Sequence, residues 1–165
     1  MNKRALGFVL ALAMTGLAAC GSASAPTPVP TATPSPMANK LIVYGDTVYF
    51  AGKTDPNTCV EQSRYKSGQA VGFRMTAIDP VTGKVDDAAT LVVHVTFGGK
   101  TVDVPMNYRG TGANPHPGMW TGKWVVPNDA PTGIVKYVVS ATDKQGRTGE
   151  FQPFNVDASE LAVVK

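Results

Sequence analysis

Apolar side chains alternate with polar or small ones in several short segments of the chain after residue 39. Val71, Phe73, Met75 and Ala77 form the clearest example. A period of two is that of a β-strand, whose successive side chains point to opposite faces of a sheet. The same pattern predicts strands at 91–97, 102–108, 120–126, 135–141, 148–151 and 154–156, and residues 41–50 form a further β-rich segment with an expected break at Gly45-Asp46.

Turn-forming residues separate most of these segments. Gly98 and Gly99 lie between two predicted strands, and both accept the positive φ that a two-residue hairpin needs. Asp79–Gly83 and Asp143–Gly146 have the composition of turns, and Gly52–Gly68 is expected to be a long loop. No segment of this region has a sustained helical period, so residues 39–165 are predicted to form an all-β, antiparallel sandwich of seven or eight strands.

The predicted core of this domain includes both tryptophans. Trp120 and Trp124 lie on one face of the same predicted strand. The chain has two cysteines, and Cys59 is the one that lies inside the domain. A disulfide within the domain is therefore excluded, and burial of apolar side chains must stabilise it.

The first residues have the pattern of an export signal. Lys3 and Arg4 precede the apolar stretch Ala5–Leu17, which is short for the roughly 30 Å of a membrane core. Leu17-Ala18-Ala19-Cys20 resembles the lipobox of bacterial lipoproteins. The resemblance implies cleavage after Ala19 and acylation of Cys20, with residues 1–19 as the signal peptide. A secretory signal with a chance cysteine is the alternative.

Two acyl chains on one residue anchor a protein stably to a membrane. Gly21, and not aspartate, follows the cysteine. Resemblance to the usual sorting pattern of bacterial lipoproteins then implies the outer membrane over retention at the inner one. We therefore expect an extracytoplasmic protein anchored to the cell membrane, or to the outer membrane if the cell has two. Residues 20–38 contain five prolines interleaved with Thr, Ser and Ala, so they are predicted to be an extended tether.

The closing part of the domain carries a second resemblance. Residues 124–133 read WVVPNDAPTG, and they are followed by the strand YVVSATD and the turn KQGRTG. This run resembles the last strands of bacterial immunoglobulin-like modules. The resemblance implies an immunoglobulin-like sandwich, and it says little about function because such modules serve adhesion, spacing, docking and ligand binding.

Charge and motifs exclude several classes of function. The chain has 15 basic and 12 acidic residues, and removing Lys3 and Arg4 with the signal leaves 13 and 12, a net charge of +1. This balance does not support a nucleic-acid partner. The chain lacks a Gly-x-Ser-x-Gly elbow, a His-Glu-x-x-His motif and a phosphate loop, so we expect neither an enzyme nor a cofactor. Asp86-Asp87 is interpreted as part of a solvated loop.

Three readings of function remain. The first is a lipid-anchored accessory module that docks to another envelope protein. The second is a small copper-handling protein that uses His116 and Met119, with Cys59 or Met106 as the third ligand, because these side chains are soft or imidazole donors. The third is a carbohydrate-binding module with Trp120 or Tyr108 as the stacking ring.

Overall fold

The computed structural model describes residues 39–52, 54–156 and 159–165. Ala19, Cys20, the signal peptide and the whole tether (20–38) lie outside the described residues. Within the described residues there are ten strands and no α-helix, and hence no helix that is long and apolar enough to cross a membrane. The strands are β1 (Ile42–Tyr49), β2 (Arg64–Tyr65), β3 (Ala70–Ile78), β4 (Thr90–Phe97), β5 (Lys100–Pro105), β6 (Asn107–Tyr108), β7 (Trp120–Val125), β8 (Gly133–Thr142), β9 (Thr148–Phe151) and β10 (Leu161–Val163).

The strands form two sheets, which confirms the all-β prediction. Sheet I has the order β1-β3-β7-β6. Sheet II has the order β2-β10-β8-β4-β5, and β9 pairs with β8 beside β10. Every pair is antiparallel except β2 with β10. The structure has more strands than the seven or eight expected because it includes three very short ones of two or three residues, namely β2, β6 and β10.

The inward faces of the two sheets share one apolar core. Phe73 of sheet I and Tyr137 of sheet II lie with their ring centroids 5.1 Å apart, and both residues are buried. Trp120 and Trp124 are 1% and 8% exposed, which confirms their predicted place in the core. The sheets are therefore held together by the alternating residues that the sequence pattern identifies.

The expected break at Gly45-Asp46 is wrong. β1 runs without interruption through both residues, and Gly45 is paired with Met75 of β3. A Cβ atom on Gly45 would lie 2.0 Å from the carbonyl oxygen of Arg74 and 2.5 Å from Sδ of Met75. The glycine is therefore required by close packing within the sheet and does not form a turn.

The strand predicted at residues 154–156 is also wrong. Phe154 and Val156 are 80% and 55% exposed, and the last strand is β10. β9 pairs with the second half of β8, whereas the first half pairs with β10. The chain must therefore leave the sheet after Phe151 and return further along the same edge.

The hairpin at Gly98-Gly99 is confirmed. Their φ values are 57° and 74°, and β4 pairs with β5 in register around them. The predicted loop Gly52–Gly68 is correct for most of its length. It contains β2, whose two residues are too few to produce a periodic pattern.

Candidate functional site

A cavity of about 280 Å³ lies on the face of sheet I that points away from the core; we call it the outer-face cavity. Its floor includes Val48 and Gly72, which are paired across β1 and β3 on the outward phase of these strands. Phe50 and Arg74 also line it. Because Gly72 has no side chain, space remains above it between the two loops that form the rim of the cavity.

The first rim is the segment that follows β1. The amide of Cys59 donates to the carbonyl of Tyr49 at 2.7 Å, and the amide of Tyr49 donates to Val60 at 2.9 Å. Arg74 donates to the carbonyl of Cys59 at 3.4 Å. These bonds hold Cys59 at the cavity, where it is an exposed, free cysteine with a φ of 70°.

The second rim is the loop between β6 and β7. The amide of Arg109 donates to Met119 at 2.8 Å, and the amide of His116 donates to Arg109 at 2.7 Å. The Thr76 hydroxyl of β3 donates to the carbonyl of Gly118 at 2.8 Å. The loop is thus folded on itself and tied to the sheet, with His116 and Met119 lining the cavity.

The structure therefore brings Cys59, His116 and Met119 together around one cavity, although the cysteine lies far from the other two in sequence. Met106, the other ligand considered, is not among them. It packs against the core, and a Cβ atom on the inward-facing Gly122 would lie 3.3 Å from its Cγ. Within the described residues, no group of three or more His, Cys, Asp and Glu side chains is placed to hold a metal ion.

The surroundings of the outer-face cavity are basic. Asp46 accepts from Nε of Arg74 at 2.8 Å, and this hydrogen bond raises the pKa of the arginine despite its partial burial. Arg109 is exposed at the rim, and Lys123 lies 5.9 Å from the centroid of the Phe50 ring. No carboxylate side chain is among the described residues that line the cavity.

Tyr108 and Trp120 do not form an open stacking platform. Trp120 is 1% exposed, and its ring centroid lies 4.7 Å from that of the half-buried Tyr108. The tryptophan therefore has no free face for a sugar ring.

A larger opening of about 640 Å³, which we call the edge cleft, lies where β1 faces the segment after β9. The free edge of β1 is covered at one end by a hydrogen bond from Leu41 to Thr148 (2.9 Å) and at the other by one from Gln62 to Thr47 (3.1 Å). Between these ends, Gly45 and Asp46 line the cleft. Neither has a strand partner on this side within the described residues.

The edge cleft combines acidic and aromatic side chains. Glu61 and Glu150 are exposed carboxylates at its wall, and Phe154 is 80% exposed at its mouth. Tyr137 lies deep in it, where burial and the nearby charge of Asp46 raise the pKa of the phenol to about 12. No lysine or arginine is among the described residues that line the cleft.

A Ser-His-Asp arrangement that sequence reasoning missed lies on the outer face of sheet II. Nδ1 of His94 is 2.7 Å from Oδ1 of Asp103, and Nε2 is 2.9 Å from Oγ of Ser140. His94 lies in β4, Asp103 in β5 and Ser140 in β8. Only the register between these strands brings the three side chains together. Ser140 belongs to a strand that is paired on both sides, which directs the neighbouring amides along the sheet and away from its hydroxyl.

A second missed cluster surrounds Arg147. Its guanidinium contacts Asp143 at 2.6 Å, Asp79 at 3.1 Å and Asp86 at 3.3 Å. The interpretation of Asp86 as a solvated loop residue is therefore wrong, because its side chain is 13% exposed and ion-paired. The sequence pattern predicts the turns and the loop that contain these aspartates, but it does not predict that one arginine contacts all three.

Searches among protein-family models and among curated proteins found no match to this chain.

Proposed function

We propose that the chain is a lipid-anchored, extracytoplasmic module with an immunoglobulin-like fold that docks to another envelope protein. The anchor is supported by the lipobox at Cys20 and by the proline-rich tether that follows it. The described β-strands begin at Ile42, downstream of that tether in the sequence. A partner in the envelope is the natural target for a domain held there.

The order of strands supports the immunoglobulin-like fold. If β1, β3, β4 and β5 are labelled A, B, C and C′, then β6, β7 and β8 are D, E and F, and β9 with β10 form G. Sheet I then has the order A-B-E-D, and sheet II contains G-F-C-C′. Both orders match those of the seven-stranded immunoglobulin-like sandwich, A-B-E-D and C-F-G, with two strands, C′ (β5) and β2, added to the second sheet.

The observation that carries the docking proposal is the edge cleft, which exposes an unpaired part of β1 beside acidic and aromatic side chains. An extended peptide segment binds such an edge through its main chain, and pockets beside the edge select its side chains. Glu61 and Glu150 favour a lysine or arginine in that segment, since charge complementarity accelerates and selects association. The proposed occupant is therefore an extended basic segment of the partner.

Photo-crosslinking in the native envelope tests this proposal. A photoreactive residue is placed at Gln152, an exposed position in the wall of the edge cleft. We expect a defined adduct whose yield falls several-fold in the double variant Glu61→Gln/Glu150→Gln. The matched control is Asp87→Asn/Asp129→Asn, which removes the same charge from exposed positions outside the cleft.

Equal adduct yields in the two double variants would contradict docking through this cleft. Absence of any adduct other than the protein with itself would contradict docking to a partner.

The anchor is tested separately by metabolic labelling with a fatty acid. Cys20→Ser should abolish labelling and release the chain from the membrane fraction. Cys59→Ser should change neither result, because the second cysteine belongs to the folded domain. Labelling that persists in Cys20→Ser would contradict the lipoprotein assignment.

A further inference from the structure

Three residues that line the outer-face cavity carry side chains whose donor atoms can bind copper ions. Cys59 supplies a thiol, Met119 a thioether and His116 an imidazole, and all three line the same space of about 280 Å³. Cys59 and His116 are exposed, and Met119 is partly buried. All three residues therefore lie at the cavity or its mouth.

This donor set discriminates between metal ions. Calcium and magnesium require oxygen ligands, and no carboxylate side chain is among the described residues that line the cavity. Imidazole and thiolate suit both zinc and copper, but a thioether is a ligand of soft ions such as Cu(I). The presence of Met119 therefore favours Cu(I) over Zn(II).

The charge around the cavity also favours a monovalent ion. Arg74 and Arg109 line it; Arg74 is paired with Asp46 and also lies near Glu61, so carboxylates compensate its charge, whereas Arg109 is exposed at the rim. A Cys59 thiolate with Cu(I) has no net charge, whereas the same ligands with a divalent ion leave a net positive charge near Arg109. Coulomb repulsion then weakens binding of the divalent ion.

We infer that the outer-face cavity is a Cu(I) site in which Cys59, Met119 and His116 are the ligands. On binding, the thiol of Cys59 loses its proton to solvent and a sulfur–copper bond forms, with no change in the oxidation state of copper. This site lies on the outward face of sheet I and does not depend on docking at the edge cleft.

Competition with a chromophoric Cu(I) chelator tests this inference on the full chain in detergent, under anaerobic conditions. The same measurement in a Cys20→Ser background removes the only other cysteine sulfur and keeps the result independent of lipidation. We expect stoichiometric retention of Cu(I) by the wild-type protein and no displacement by excess Zn(II). Since loss of even an outer-shell partner costs roughly 10–100-fold in metal affinity, Cys59→Ser, His116→Gln and Met119→Leu should each weaken binding at least that much.

Two control variants carry the same chemical changes at other places. Met106→Leu alters a methionine that packs against the core, and His94→Gln alters a histidine on sheet II. Both should retain Cu(I) as the wild type does, and thermal melts should show that all five variants are folded. Copper X-ray absorption should show sulfur and nitrogen neighbours in the wild type and lose sulfur in Met119→Leu.

Failure of the wild type to retain Cu(I) would overturn the inference. Equal retention by the wild type and the three ligand variants would overturn it as well, and so would complete displacement by zinc.

Discussion

Arg147 donates from Nε to Oδ2 of Asp143 at 2.6 Å, and the side chain of Asp143 is fully shielded from solvent. The same guanidinium reaches Asp79 and Asp86 in the connection between β3 and β4. One arginine thus ties the turn between β8 and β9 in sheet II to a loop that leaves sheet I. Three carboxylates depend on it for their positive partner.

Replacing Arg147 with methionine should lower the free energy of unfolding at pH 7, because it leaves three neighbouring carboxylates without their cation. In the folded protein the pKa of Asp79 is lowered, first by the amide of Val81 and also by Arg147. Burial acts to raise the pKa of Asp143, but hydrogen bonds from Arg147 and nearby amides outweigh it and lower the value. Both lowered pKa values stabilise the folded state at pH values above about 3.9, the pKa of an aspartate in the unfolded chain.

This stabilisation is lost as the pH falls through the lowered pKa values of the folded state. The deficit of Arg147→Met relative to wild type should therefore be largest at neutral pH and shrink below about pH 4. Denaturant unfolding at several pH values measures it, with Arg109→Met as the control for an exposed arginine. A deficit that is the same at neutral and acid pH would contradict this role.

The hairpin between β4 and β5 should tolerate asparagine but not valine at its first turn position. Gly98 has a φ of 57° and no atom within 4 Å of a built Cβ, so backbone conformation alone decides the outcome. Gly98→Val should lower the free energy of unfolding by about 1–2 kcal/mol, the cost of a left-handed residue. Gly98→Asn should leave it unchanged or raise it slightly, since asparagine accepts this conformation. Equal losses in the two variants, measured by urea unfolding, would show that the turn is not required in this form.

Gly45→Ala should destabilise the sheet because the added Cβ would lie 2.0 Å from the carbonyl oxygen of Arg74. Overpacking of this kind costs about 1–3 kcal/mol. The control is Ile42→Ala in the same strand, where the side chain is 41% exposed and removal should change stability much less. A melting temperature for Gly45→Ala equal to that of wild type would mean that β1 is not packed as described.

Ser140 should not react as a catalytic nucleophile, although His94 and Asp103 stand in a triad-like chain beside it. Acyl transfer also needs preorganised donors for the developing oxyanion. The amides near Ser140 are committed to the neighbouring strands on both sides. Incubation with a fluorophosphonate probe should therefore label wild type no more than Ser140→Ala, and labelling that is lost in both Ser140→Ala and His94→Gln would contradict the expectation.

Trp120 and Cys59 show how far pattern reasoning reached. The buried position of Trp120 follows from its phase in an alternating strand, because alternation and burial are local consequences of the same pleat. The meeting of Cys59 with His116 and Met119 does not follow from any local pattern. It depends on how two irregular loops fold over sheet I.

The sequence by itself determined the all-β class, most of the strands, the Gly98-Gly99 hairpin and the core tryptophans, since these depend on residues close together along the chain. Only the tertiary structure decided that Gly45 stays within a strand and that Arg147 gathers three aspartates. It also decided that His94 lies between Asp103 and Ser140. The physical reason is that strand register and loop packing join residues far apart in sequence, and local propensity carries no information about which partners will meet.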